Sequence, residues 1–157
     1  MRVRASAESL GRLPLFAECD RTHLQMLAFA SRRCNFAPSE AIIREGSAGK
    51  TAYLILDGFA DLSLGEGQRA RQLGEAGPGL LIGELAMIAG GNYSISAIAR
   101  QDVEAAAIER DTFLRLAGEF PEFAARVHKA LSRKLEATMS DLVGARSAFD
   151  GARAFAR

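Results

Sequence analysis

The spacing of hydrophobic residues divides the chain into a helical start, a long β-region and a helical end. Leu24, Leu27 and Ala28 recur at helical spacing, which predicts an amphipathic helix over Arg21–Ala30 with Asp20 as its N-cap. From about residue 32 to residue 109, short apolar or alternating runs are separated by Gly, Pro and Ser. These runs predict strands over residues 41–43, 52–56, 59–64, 80–82, 95–99 and 103–108.

Glycine-containing turns separate the predicted strands. Asp57-Gly58 and Gly65-Glu66-Gly67 offer positions that tolerate a positive φ, as hairpin connections need. Many short strands at close spacing are typical of a sandwich, barrel or roll. The predicted fold is therefore mainly β with flanking helices: a jelly-roll-like β-roll with short N-terminal helices and C-terminal helices.

The helical period returns after Asp111, a candidate N-cap, and breaks at Pro121. A long second helix is predicted beyond that proline. Its apolar positions are Phe123, Val127, Leu131, Leu135 and Leu142. We assign one domain to residues 8–142 and a C-terminal tail to residues 143–157, where the Ala- and Arg-rich composition predicts a frayed or disordered end.

Charge and composition narrow the classes of partner. The chain has 157 residues, and its 20 basic and 19 acidic side chains leave a net charge of +1, so direct nucleic-acid binding is not expected. The basic residues of the C-terminal stretch are interrupted by Glu136 and Asp141, which is typical of a solvated helix face. No apolar run approaches the roughly 20 residues that a spanning helix needs. We expect a cytoplasmic protein without membrane insertion.

Residues for catalysis or metal binding are sparse. Cys19 and Cys34 lack a CxxC spacing, and His23 and His128 lie on predicted helices rather than in the β-region. A barrel hydrolase or oxygenase would need clustered His and carboxylate ligands on its strands. We therefore predict no catalytic residue, no metal site, no cofactor and no enzymatic activity.

A glycine-rich segment before the second predicted strand resembles the end of a P-loop. In Gly46-Ser47-Ala48-Gly49-Lys50-Thr51 the first glycine of the full motif would fall at Arg44. The residues after Thr51 read as a strand, whereas a P-loop leads into a helix whose N-terminus faces the phosphates. We interpret the segment as a turn between strands.

A second glycine-bounded segment, Gly83 to Ser94, leaves two interpretations open. Its sequence predicts a short helix with Glu84 at its start, followed by a Gly-Gly-Asn loop that leads into a strand. The helix is either a crossover within the roll, with Leu85 and Ile88 filling the core, or the start of an anion site built from its N-terminal amides.

The chain resembles the cyclic nucleotide-binding domains of bacterial transcription regulators, kinase regulatory subunits and gated channels. The resemblance runs from about Leu10 to Leu135. The residues that carry it are Leu13-Pro14-Leu15-Phe16, Glu45-Gly46, Ala52-Tyr53-Leu54-Ile55-Leu56-Asp57-Gly58, Gly79 and Gly83-Glu84-Leu85-Ala86. It implies that Gly83 to Ser94, here called the cassette, binds the cyclic phosphate of cAMP or cGMP.

The resemblance also assigns roles within the cassette. Glu84 corresponds to the residue that accepts hydrogen bonds from the ribose 2′-hydroxyl, and Gly83 with the amides of Leu85 and Ala86 corresponds to the phosphate cradle. The C-terminal helix is expected to cover the base. The ligand-binding residues implied are Gly83, Glu84, Leu85, Ala86, Tyr93 and Ser94.

The cassette departs from the family at its phosphate-binding arginine, where this chain has Tyr93. No Lys or Arg occurs between Glu84 and Ala99. Loss of a charge-assisted hydrogen bond, worth roughly 1.5–3 kcal/mol, weakens a phosphate ligand about 10- to 150-fold. Tyr93 and Ser94 then form an altered wall, with Tyr93 offering one neutral hydrogen bond and Arg100 as a cation that could reach back along the strand.

Two functions remain as hypotheses. The first is a regulatory ligand-sensing module in which binding between the cassette and the C-terminal helix reorients residues 121–142. The second is a non-catalytic interaction or dimerisation module with a degenerate nucleotide pocket. Its apolar helix face would bind an effector protein or a second copy. That face comprises Phe123, Val127, Leu131 and Leu135.

Overall fold

The computed structural model describes residues 2–136, which form two antiparallel sheets flanked by helices. The helices are α1 (Ala7–Gly11), α2 (Arg21–Ala30), α3 (Glu84–Ala89), α4 (Arg110–Glu119) and α5, whose described part spans residues 121–136, and a 3₁₀ turn covers Gly67–Arg69. The strands are β1 (Arg32–Phe36), β2 (Ala41–Ile43), β3 (Thr51–Asp57), β4 (Ala60–Leu64), β5 (Arg71–Ala76), β6 (Leu81–Ile82), β7 (Ser96–Ala99) and β8 (Val103–Glu109).

The two sheets have four strands each, in the orders β1-β8-β3-β6 and β2-β7-β4-β5. Strands distant in sequence are therefore neighbours, as in a roll wound from paired strands. The mainly-β roll with flanking helices is confirmed. Each strand expected from the apolar pattern is present, within one or two residues of its predicted bounds.

Side chains of β3 alternate between two hydrophobic cores. Leu54 and Leu56 lie in the core beneath the helices, whereas Ile55 lies in the core between the sheets, and all three are at most 1% exposed. A strand covered on both faces reads as a continuous apolar run, which is why the sequence predicted it clearly. β3 thereby supports the cassette on one side and the helical layer on the other.

Two helix starts differ from prediction in detail. Asp20 is the residue before α2, but its side chain caps no helix amide. Its carboxylate instead accepts a hydrogen bond from Arg126 of α5 at 2.6 Å. Asp111 is not the cap of α4, since it lies inside the first turn and Glu109 precedes the helix.

The turn after β3 confirms the predicted role of its glycine. Gly58 has a φ of 87°, and Gly65 and Gly67 also have positive φ values, of 86° and 60°. A Cβ on Gly58 would also lie 2.3 Å from the Asp102 carbonyl oxygen. The expected hairpin at Asp57-Gly58 is wrong, because β3 and β4 belong to different sheets and this turn carries the chain from one sheet to the other. The turn needs glycine for both its backbone conformation and its close packing. The Gly65–Gly67 turn does close a hairpin, since β4 pairs with β5.

The apolar face of α5 packs on the roll of its own chain. Phe123 is fully buried, Val127 is 1% exposed, and Leu131 is partly buried against the same core. Leu135 is half exposed. The hypothesis of a face available for an effector or a second copy is thus contradicted for Phe123 and Val127, because these side chains already stabilise the contact with the roll.

None of the described helices combines the length and the apolar character needed to span a bilayer. The predicted tail, residues 143–157, and the predicted end of α5 at Leu142 lie outside the described residues.

Candidate functional site

The cassette begins with a six-residue helix held between two left-handed glycines. Gly83 precedes α3 with a φ of 79°, and Gly90 follows it with a φ of 77°. The amides of Gly90 and Gly91 both bond to the Ala86 carbonyl, at 2.8 and 3.3 Å, which closes the helix end. Met87 is fully buried in the helical core and fixes the inner side of α3.

The segment that resembled a P-loop is a turn that braces the cassette. Its residues lead into β3, so the interpretation as an inter-strand turn is confirmed. The Gly49 amide donates to the Gly91 carbonyl at 2.9 Å, and the Tyr93 amide donates to the Ser47 carbonyl at 2.9 Å. A Cβ on Gly49 would lie 2.1 Å from the Ala86 Cβ, so the turn and α3 are in direct contact.

Arg110, which sequence reasoning missed, holds the other end of α3. Its Nη1 donates to the carbonyl oxygens of Met87 and Ile88 at 2.5 and 2.8 Å. A guanidinium at a helix C-terminus is stabilised by the helix dipole. Since Arg110 is the first residue of α4, this contact joins the cassette helix to the helices that follow the roll.

Glu84 binds the C-terminal helix. Its Oε1 accepts a hydrogen bond from Lys134 Nζ of α5 at 2.6 Å. The Glu84 side chain is only 16% exposed, whereas the Lys134 side chain is 50% exposed. A mostly buried carboxylate requires a partner, and here α5 provides one.

Two cavities meet at Glu84. One, of about 470 Å³, lies at the cassette, and the other, of about 500 Å³, lies between the N-terminal segment and α5. Leu80, Leu81 and Glu84 line both. The second cavity is completed by Leu13, Pro14, Leu15, Ala130, Arg133 and Lys134.

The structure brings all the sequence-predicted site residues together. The cassette cavity is lined by Gly83, Glu84, Leu85, Ala86, Tyr93 and Ser94, along with apolar side chains from β2, β4 and β6. Among these lining residues Glu84 is the charged one. The cavity is therefore apolar with a single acidic group, as the absence of Lys and Arg from the cassette predicted.

The Tyr93 hydroxyl is already engaged. It donates to the Thr51 carbonyl oxygen at 2.5 Å and accepts from the Thr51 amide at 3.3 Å. The side chain is 8% exposed, and its ring edge lies 2.8 Å from where a Cβ on Gly83 would be. Burial raises the pKa of this phenol above its ordinary value. The expectation that Tyr93 offers its hydroxyl to a phosphate is thus contradicted, because the hydroxyl proton is already donated to the Thr51 carbonyl oxygen of β3.

Arg100 does not reach the cassette. Its guanidinium binds Asp61 and Glu75, with a distance of 2.8 Å to Glu75 Oε2. The hydrogen bonds that Arg100 donates to Asp61 and to Glu75 raise its pKa. The idea that this residue substitutes for the missing arginine is wrong, since its charge is paired on the outer surface of β4 and β5.

The remaining candidates take structural places. His23 packs against Phe120 and Phe123, with ring centroids 4.6 and 5.9 Å away, in line with its interpretation as a helix-packing residue. Cys19 and Cys34 are free and half-buried, and burial raises the pKa of both thiols. Within residues 2–136, no group of three potential ligands is placed to hold a metal ion.

Comparison with known proteins gives a consistent family. Residues 33–120 match the model of the cyclic nucleotide-binding domain. The cyclic AMP receptor protein of Thermus thermophilus is 32% identical over 110 residues, which are 69% of this chain and 50% of that protein. The cAMP-dependent protein kinase regulatory subunit of Colletotrichum orbiculare is 30% identical over 117 residues, which are 74% of this chain and 29% of that protein.

A solved structure extends the comparison. The N-terminal domain of a transcriptional regulator from Streptomyces coelicolor has a TM-score of 0.74 and 27% identity, with 83% of this chain and 94% of that chain covered. This chain therefore matches a whole solved domain but spans half or less of the length of the two relatives above.

Proposed function

The chain belongs to the family of cyclic nucleotide-binding domains, and we propose that it is a regulatory module that senses a cyclic mononucleotide through its cassette and signals through α5. The observation that carries this proposal is the contact between Glu84 and Lys134 at 2.6 Å. The carboxylate that would bind the ligand's ribose also holds the C-terminal helix, so both events act on one side chain.

The cavity supplies the remaining contacts of a nucleotide site. In the proposed complex the ribose 2′-hydroxyl donates to Glu84, and the amides of Leu85 and Ala86 with Gly83 face the phosphate. Ser94, which also lines the cavity, contributes a hydroxyl. The apolar lining, which includes Leu80 and Leu81 and continues into the second cavity, suits a planar base.

Coupling to α5 follows from differential affinity. A ligand moves a helix only when it binds one helix position more tightly than another. Sugar hydroxyls on Glu84 change the partner of Lys134, so the liganded site favours a different position of α5. An ion pair of this partly exposed kind contributes about 0.2–1 kcal/mol, which allows a ligand to alter it.

The absence of an arginine in the cassette determines the affinity that we expect for a cyclic nucleotide. Without that charge-assisted bond, affinity is about 10- to 150-fold weaker than in an arginine-bearing cassette. We therefore expect a weak site that is visible in titrations reaching millimolar cAMP or cGMP.

Replacement of Glu84 tests the proposal. Glu84→Gln keeps the size of the side chain but removes its charge, and we expect cAMP or cGMP affinity to fall at least about 10-fold because hydrogen bonds to a charged acceptor are stronger than neutral ones. Isothermal titration calorimetry measures the change. The matched control is Glu66→Gln, an equal loss of charge at an exposed position between β4 and β5, which should leave affinity unchanged. Equal binding by the natural chain and Glu84→Gln would contradict the proposed role.

The alternative interaction module lacks a comparable observation. Its apolar helix face is occupied by the roll at Phe123 and Val127. The ligand-sensing function is therefore the one that the geometry favours.

A further inference from the structure

The cassette cavity is short of positive charge. A cyclic phosphodiester carries one negative charge, yet Glu84 is the charged residue among those that line this cavity. An anion placed beside an unpaired carboxylate is repelled. A ligand of this class therefore requires a cation from another part of the chain.

The nearby arginines have other partners. Arg100 binds Asp61 and Glu75 on the outer surface. Arg110 binds the carbonyl oxygens at the end of α3. Arg133 lines the second cavity, but its Nη2 lies 2.7 Å from Glu18 Oε2. Moving any of these guanidinium groups to the cassette would break an existing charge-assisted contact.

Lys134 lies where a cation is needed. Its ammonium group is already within 2.6 Å of Glu84 Oε1, and Lys134 lines the second cavity, which shares Glu84 with the cassette cavity. Half of its side chain is exposed, so there is space beside it for the ammonium to move. The flexible four-carbon stem of lysine allows the ammonium to change partners over a short distance.

We propose that Lys134 supplies the positive charge for the ligand's phosphate in place of the arginine that the cassette lacks. This inference rests on the proposed function. When the sugar hydroxyls occupy Glu84, the ammonium moves from the carboxylate toward the phosphate. The binding site is then divided between the roll and α5, and the helix is held by the ligand itself.

This role and simple competition for Glu84 predict opposite effects of removing Lys134 on nucleotide affinity. If Lys134 only blocked Glu84 in the unliganded chain, its removal would strengthen binding. If it binds the phosphate, its removal weakens the binding of a charged nucleotide and does not weaken that of a neutral nucleoside. The site is accordingly specific for anionic ligands, and their affinity falls with rising salt.

The test compares cAMP, cGMP and uncharged adenosine in calorimetric titrations of the natural chain, Lys134→Gln and Lys134→Arg. We expect Lys134→Gln to bind the cyclic nucleotides about 10- to 150-fold more weakly and Lys134→Arg to retain most of the affinity. Adenosine should bind both variants at least as tightly as it binds the natural chain. Lys129→Gln removes the same charge from an exposed position of α5 and should bind as the natural chain does. Melting temperatures identify any variant that is unfolded.

Equal or tighter cyclic-nucleotide binding by Lys134→Gln would overturn the inference and leave the proposed function standing. An equal loss of adenosine binding would also overturn it, because a displaced helix rather than a lost charge would then be the cause. If the natural chain binds neither cyclic nucleotide at millimolar concentration, the proposed function itself fails, and this inference with it.

Discussion

The Tyr93→Arg variant is expected to bind cAMP or cGMP about 10- to 150-fold more tightly than the natural chain. The substitution places a guanidinium at the position from which the family's arginine holds the cyclic phosphate. A planar, permanently charged donor fork suits that group better than a neutral hydroxyl. Calorimetric titration measures the gain.

Loss of the packing and hydrogen bonds of Tyr93 is expected to lower the stability of this variant. The tyrosine ring lies against Gly83, and its hydroxyl joins both backbone groups of Thr51. An arginine must leave this site and enter the cavity, so a lower melting temperature is expected alongside the gain in affinity. Tyr93→Phe is the control, since it removes the same hydroxyl without adding charge and should give no gain. A folded Tyr93→Arg that gains nothing would show that the cavity does not fit a phosphate.

Phe123→Ala is expected to lower the free energy of unfolding by about 3–5 kcal/mol. The side chain is fully buried, with its ring centroid 6.3 Å from that of Phe16 and 5.6 Å from that of Phe113. It thus joins α5 to the N-terminal segment and to α4 at once. Urea denaturation followed by circular dichroism measures the loss.

Leu135→Ala is the matched control on the same helix. Leu135 is half exposed, so its truncation should change stability by no more than about 0.5 kcal/mol. Equal effects of the two substitutions would contradict the docking of α5 on the roll. The same result would revive the hypothesis that this apolar face binds a partner.

Two of the four edge strands, β1 and β5, are the part of the fold that sequence patterns did not reveal. Most of their residues are exposed. Five of the six residues of β5, in Arg71–Ala76, are exposed, so no alternation of apolar and polar residues marks the strand. The central strands β3 and β8 bury most of their residues and were predicted within a residue or two.

Contacts between distant residues limited the prediction of the site. The cassette residues could be identified because they are contiguous and glycine-bounded. The partner of Glu84 is 50 positions away on α5, and the partner of the Tyr93 hydroxyl is a backbone group 42 positions away. Neither is encoded in local spacing. The position of Arg110 at the end of a strand and the start of a helix could have been recognised from the sequence. Its acceptors on α3 could not, because they are brought close only by the fold.

Residue spacing and family resemblance identify different features of the cassette. Spacing alone did not decide whether the cassette helix is a crossover or an anion site. In the structure Met87 of this helix is buried in the core, so the helix contributes to packing. The family resemblance pointed to Glu84. The structure added the link from Glu84 to α5, on which the account of signalling depends.

A titration of the ¹⁵N-labelled chain with cAMP and cGMP, followed by amide NMR spectra, shows whether one ligand acts on both the cassette and α5. We expect the largest shifts at residues 83–94 and 121–136, with both sets saturating together at one dissociation constant. Saturating shifts confined to the cassette, or no shifts at millimolar ligand, would contradict the proposed coupling.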